Sequence, residues 1–170
     1  WSSDVCSSDL SFEDTHKIID NKNIQKFICK IDKNLKIFGV TFTGKVINID
    51  WESNINNEFK LDYKILGNID PNEILNFHAI KKGVKNYLCI LNSDGRFKKV
   101  LFDKDMIKSN RSFAITRLKN NIKIIDSFIS DEENNLIILT SIGRIFKFNL
   151  SNKIFSPTTK QSQGLMLAKL

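Results

Sequence analysis

Three glycines set the terms on which this chain can fold. Gly44, Gly95 and Gly143 are almost evenly spaced, and each is followed by a basic and then an apolar residue: Gly44-Lys45-Val46, Gly95-Arg96-Phe97, Gly143-Arg144-Ile145. Seven residues before each glycine lies Ile37, Leu88 or Leu136, and four before it Val40, Leu91 or Leu139. An aliphatic run that enters a glycine and leaves through alternating residues reads as a strand, a tight turn and a return strand, because glycine adopts positive φ without steric cost. A unit restated at a period of roughly 50 residues points to a repeat architecture.

Two further signatures share that period. An I-x-x-F pattern recurs as Ile24-Gln25-Lys26-Phe27, Ile74-Leu75-Asn76-Phe77 and Ile125-Asp126-Ser127-Phe128. Polar turns at Asp32-Lys33-Asn34, Lys81-Lys82-Gly83 and Asp131-Glu132-Glu133-Asn134-Asn135 separate it from the hairpin, which suggests at least three consecutive antiparallel strands per unit. Apolar segments close the units at Arg111 to Leu118 and Gln163 to Leu170, while the corresponding stretch of the first unit, near Phe59-Lys60-Leu61, is weak. No convincing amphipathic helix interrupts them. The expected fold is therefore all-β and propeller-like, an incomplete array of about three four-stranded blades at residues 20–66, 70–118 and 121–170, since such blades bury their faces only against neighbouring blades.

The first ten residues, Trp1 to Leu10, match nothing that follows. They resemble the translated read-through of a common multiplexing adapter from short-read sequencing, and are expected to be foreign to a domain spanning residues 11–170. Asp4 and Asp9 are their only charges, so without them 26 basic residues face 17 acidic ones, a net charge of +9. Such a balance favours an anionic partner. A coding bias toward Lys, Asn and Ile produces the same excess, so charge alone does not name the partner.

With 41% hydrophobic and 26% charged residues, and no apolar run near the ~18 that span a membrane, the chain is expected to be a soluble, cytoplasmic protein with no membrane partner. Cys6, Cys29 and Cys89 are odd in number and widely spaced, which fits buried thiols at Cys29 and Cys89 better than a metal site or disulfide framework. His16 and His78 have no acidic or cysteine neighbour at ligand spacing, and Glu132-Glu133 sits in a turn as solvated charge. The glycines are isolated and precede strands, so they form no phosphate loop. No catalytic site, metal or cofactor is expected in this chain.

The informative polar residues are basic. Lys45, Arg96 and Arg144 recur at one position of the repeat, and Lys98, Lys99, Arg111, Arg117, Lys147 and Lys160 add charge near the same hairpins and closing segments. Any one of them is equally well a solvated surface residue, but as a set they suggest one shared face suited to a phosphate backbone. Phe27, Phe77 and Phe128 read as packing between blades rather than as base-stacking platforms.

The run from Leu88 to Val100, its counterpart from Leu136 to Phe148, and the ending from Thr159 to Leu170 resemble the blade motif of the C-terminal domain of the DNA-cleaving subunit in the DNA gyrase and topoisomerase IV family. The resemblance covers residues 24–170. It implies a β-pinwheel whose basic rim wraps or bends double-stranded DNA beside a separate breakage and reunion core. The ATPase subunit with its ATP and Mg, and a second DNA-cleaving subunit, would then be partners in a bacterial nucleoid or a plastid. The DNA-cleaving tyrosine belongs to that core, so neither Tyr63 nor Tyr87 takes the role. The basic, glycine-rich box of true gyrases has no clear counterpart; Lys160-Gln161-Ser162-Gln163-Gly164 is at most a remnant of a blade loop. The alternative from another class is a propeller scaffold for protein partners, and clustering of the basic residues on an outer rim would separate the two.

Overall fold

The structure, a computed structural model, describes residues 34–49, 68–81, 83–102, 112–130 and 135–167. The first ten residues, the Ile24–Phe27 signature and the Phe59-Lys60-Leu61 stretch lie outside the described residues. All three glycine turns are hairpins. Strands β1 (Leu35–Thr41) and β2 (Lys45–Ile49) flank Gly44, β4 (Asn86–Asn92) and β5 (Arg96–Phe102) flank Gly95, and β8 (Asn135–Leu139) and β9 (Ile145–Asn149) flank Gly143. Each glycine N–H donates to the carbonyl three residues earlier, Thr41, Asn92 or Thr140, at 2.9 to 3.1 Å. Each sits at φ between +77° and +87°, the left-handed region that closes the turn.

The sheets do not follow the sequence units. Strand β3 (Ile74–Lys81) pairs antiparallel with β1, and β6 (Phe113–Ala114) pairs with β2, giving a first sheet of order β3-β1-β2-β6. Likewise β7 (Ile124–Ser130) pairs with β4, and β10 (Leu165–Met166) with β5, in a second sheet of order β10-β5-β4-β7. Thus the stretch 70–118, expected to be one blade, supplies its own hairpin to the second sheet and its two flanking strands to the first. The turn near Gly83 passes the chain between sheets instead of reversing a strand within one. Internal similarity reveals a period but not which strand edges meet.

A second correction concerns the I-x-x-F pattern. Ile74 stands opposite Thr41 at a bulge, and the residue at the matching bulge opposite Asn92 is Ile124, not Ile125. Ile124 is buried accordingly while Ile125 is 48% exposed. Because side chains alternate across a strand, the one-residue slip sends the two phenylalanines to opposite faces. Phe77 packs with Ile47, Ile49, Ile69 and Ile74, whereas Phe128 packs with Cys89, Phe97 and Leu136. Both pack on apolar clusters, as expected.

Stacking explains the unbroken aliphatic run in β4. Leu88 and Ile90 turn toward the first sheet, joining Phe38, Val40, Val46, Val100 and Phe102. Cys89 and Leu91 turn toward the β8–β9 hairpin, joining Leu136, Leu150 and Phe155. A strand covered on both faces has no solvent side, so it loses period-two alternation. Phe38 and Phe102, both fully buried with ring centroids 4.6 Å apart, tie the sheets together, and burying each contributes about 2 to 3 kcal/mol. Burial pushes the Cys89 thiol up to about 12, so it stays protonated and unreactive.

His78 lies in the seam between β3 and β7, its Nε2 2.8 Å from the Ser127 hydroxyl and its ring against Phe38. Burial pushes its pKa down from 6.5 to about 4, only partly offset by the Asp126 carboxylate. A folded-state pKa below the unfolded value means the unfolded chain takes up the proton first as pH falls. Stability present at pH 7 is therefore lost between about pH 6.5 and 4, by about 3 kcal/mol for this one group. Urea titrations at several pH values should show that loss, and His78→Gln should shrink it.

The close approach of Gly164 to β5 gives a second expectation. A Cβ there would lie 2.5 Å from the Phe97 carbonyl oxygen at φ +86°, whereas one at Gly143 would meet nothing within 4 Å at φ +77°. Gly143→Ala should cost about 1 kcal/mol from backbone strain alone, and Gly164→Ala clearly more, because the backbone of β5 or β10 must move. Equal costs in denaturant titrations would contradict the strand pairing that closes the second sheet.

Candidate nucleic-acid interface

The first two hairpin tips are fastened into one edge of the stack. The Phe42 N–H donates to the Glu73 carbonyl and the Ile124 N–H to that of Phe42, at 3.0 and 2.9 Å. The Ser93 N–H donates to the Lys123 carbonyl at 2.8 Å, and the Lys123 N–H returns to the Ser93 hydroxyl at 3.1 Å. The chain entering β7 thus bridges the first tip to the second. Closing segments run beside both tips, where the Ile115 and Leu167 N–H groups donate to the carbonyls of Gly44 and Gly95.

Most of the basic residues singled out in the sequence stand exposed. Lys45 and Arg144, the residues after their glycines, are exposed, as are Arg117, Lys147 and Lys160. Arg96 is half-buried, with its Nε 3.1 Å from the Asp94 carboxylate, so part of its charge is already matched. Lys160 lies over the Phe113 ring at 4.5 Å, which fixes its stem while leaving the residue exposed. Arg111 lies outside the described residues. Two basic residues join the edge without having been singled out in the sequence: Lys119, which lines a groove with Arg96 and Arg117, and Lys123, whose Nζ is 4.9 Å from the Phe42 ring. The repeat gives no warning of Lys123, because the equivalent residue before β3 is Glu73.

Lys98 and Lys99 are corrected. Expected on the basic face, both point into the protein, because β5 is covered on both sides. Lys98 is 1% exposed, and its Nζ donates to the carbonyls of Ile115, Lys160 and Ser162 at 3.0, 2.7 and 2.7 Å. Three donors meet three acceptors, which is the full capacity of an ammonium. Burial pushes its pKa down to about 8, which leaves the group charged at neutral pH. Lys99 donates to the Leu150 carbonyl at 3.3 Å and lies 4.4 Å from the centre of the Tyr87 ring. These two charges anchor loops.

No protein-family model and no curated protein sequence matches this chain. Solved structures do. The chain is similar to the C-terminal domain of DNA topoisomerase IV, with 17% identity and a TM-score of 0.63 over 84% of this chain and 48% of that one. It is also similar to the DNA gyrase A C-terminal domain, with 18% identity and a TM-score of 0.60 over 80% of this chain and 44% of that one. It spans about half the length of these domains, and at such identity the likeness establishes the fold. The β-pinwheel expected from the sequence resemblance is the observed architecture.

The Lys98 geometry makes a sharp prediction. Lys98→Met keeps the stem but abandons three carbonyls, two of them on the segment leading to β10, and should destabilise the domain by about 3 kcal/mol or more. Lys147→Met, at the exposed position on β9, should change stability by less than about 0.5 kcal/mol. Thermal melts of the two variants check the contrast.

Proposed function

We propose that this chain is a DNA-binding module of the DNA-cleaving subunit of an ATP-dependent type II topoisomerase, gyrase or topoisomerase IV, and that it wraps or bends duplex DNA along its basic edge. The carrying observation is the basic residue after every hairpin glycine, exposed at two of the three tips and half-buried at the third. The shared fold with the two C-terminal domains supports the same reading. In this reading the chain itself carries out no chemistry. Its place is beside a breakage and reunion core, a second DNA-cleaving subunit, and an ATPase subunit that supplies ATP hydrolysis with Mg, in the cytoplasm at the nucleoid. Tyr87 is buried in the second sheet between Lys85 and Lys99, so it takes no part in strand cleavage.

Physically, such a module needs only positive charge repeated at intervals along a curved surface. Each phosphate neutralised by Lys or Arg releases condensed counterions, and successive contacts repay the cost of bending the duplex. Backbone contacts of this kind carry no sequence information. The segment around Lys119, Ile122 and Lys123, hydrogen-bonded to two tips, keeps neighbouring charges in fixed relation.

Anisotropy titrations with duplexes of unrelated sequence should give similar affinities, with log K falling linearly in log salt. Replacing Lys45, Arg117 and Arg144 together by Glu should flatten that slope by up to about 3 units, from about 0.9 per phosphate contact. All three are exposed, so circular dichroism should be unchanged. An unaltered slope in the folded triple variant would take this edge off the DNA path, and tight sequence-specific binding would contradict the mechanism.

A further inference from the structure

Two adjacent lysines of β5 are buried on different terms. Lys98 uses its three N–H groups on three carbonyls. Lys99, only 5% exposed, has a single acceptor among the described residues, the Leu150 carbonyl at 3.3 Å, and the Tyr87 ring 4.4 Å away. A bond of that length is weak, and a ring face replaces only part of an ammonium's hydration. An ammonium taken out of water without a full set of acceptors is costly. Lys99 also lines a cavity of about 250 Å³, from which a ligand can meet its remaining donors.

The loop that follows β9 walls this cavity, and Lys99 pins the loop at both ends. Its Nζ holds the Leu150 carbonyl, and its own carbonyl accepts from the Thr158 N–H at 2.8 Å. Between those points the Ser151 hydroxyl donates to the Asn149 side chain, the Ile154 N–H to Asn152 Oδ1, and the Ser156 hydroxyl to the Lys153 carbonyl. The loop is therefore held in shape without a ligand. Tyr87, Leu150, Phe155 and Pro157 supply apolar walls, while Asn152 and Lys153 line the cavity from exposed positions. The Asn152 oxygen is already taken by Ile154, which leaves its amide NH2 to donate. Both charged residues around the cavity are cations, and no carboxylate lines it.

We propose that this cavity binds a small phosphate monoester, with its anionic head on Lys99, Lys153 and the Asn152 amide and its organic part against the apolar walls. Two cations suit a phosphate monoester, which carries close to two negative charges at neutral pH, better than a carboxylate or a backbone phosphodiester, which carry one. The site lies apart from the hairpin tips, because Tyr87 stands near the start of β4 and Leu150 just after the end of β9, away from Gly95 and Gly143. It is not repeated along the stack either. The residues equivalent to Lys99 are Asn48, which carries no charge, and Lys147, which is exposed. Nothing in this site depends on DNA binding.

The chain has two tyrosines, so in the full chain carrying Tyr63→Phe the ring resonances of Tyr87 report on the cavity wall alone. Phenyl phosphate should shift them saturably, and should bind more tightly than either benzoate or inorganic phosphate. Adding Lys99→Met should weaken binding by about ten-fold or more, the effect of losing a charged hydrogen-bond donor. Lys153→Gln, at an exposed position that does not endanger folding, should weaken it a few-fold. Replacing Lys45, Arg117 and Arg144 together by Glu should leave it unchanged. A Tyr87 signal that does not respond would overturn the proposal, as would wild-type affinity in the Lys153→Gln protein. So would benzoate or inorganic phosphate binding as tightly as the ester, or loss of the response when the three tip charges are reversed.

Discussion

A hairpin in this protein is an incomplete sheet until the following repeat lends it two strands. β1 and β2 bury Phe38, Val40 and Val46, but only with β3 on one edge and β6 on the other does that hairpin become a four-stranded sheet. The loan is asymmetric. β3 pairs with β1 over its whole length, whereas β6 and β10 are two residues each and contribute few backbone hydrogen bonds. Long inner strands therefore set the register of the stack, and short outer strands need fastening by other means.

That need accounts for Lys98. Its position in the repeat is Ile47 in the first hairpin and Phe146 in the third, apolar residues suited to a packed sheet. In the second hairpin the same direction is taken by an ammonium that reaches the carbonyls of Ile115, Lys160 and Ser162. The stem packs like a methionine while the head collects loop carbonyls that would otherwise be buried without donors. One residue thereby joins the segment closing the first sheet to the segment closing the second.

The hairpins were legible in the sequence because glycine at positive φ and aliphatic residues at fixed offsets are local signals. Strand pairing was not, because the partner of β1 begins only at Ile74, far beyond the Gly44 turn, and nothing within β3 names the edge it joins. The I-x-x-F match slipped by one because Ile124 and Ile125 are adjacent, and burial, which separates them, is a tertiary property. Lys98 and Lys99 read as surface charge because Gly-Arg-Phe-Lys-Lys looks like a basic patch. On a strand covered on both faces, alternation gives neither lysine a solvent side. Of the candidate site, Lys45, Arg117, Arg144, Lys147 and Lys160 do stand exposed, and Lys123 went unnoticed because its contact with Phe42 joins distant parts of the chain.

The position after each hairpin glycine bears differently on function from every other recurrence in the chain. Recurring aliphatic residues are demanded by packing, and recurring glycines by backbone geometry. At Lys45 and Arg144 the fold demands nothing of the side chain, because both are exposed and the turn hydrogen bonds use only their backbone N–H and carbonyl groups. The basic residues at these two tips are therefore not explained by stability. Lys98 shows the converse, a charge whose whole capacity is used by the fold and which recurs at neither equivalent position. At Lys98 the fold's own need accounts for the cation. At Lys45 and Arg144, where the fold is indifferent, a cation stands all the same, which is what the proposed contact with a repeated anion calls for.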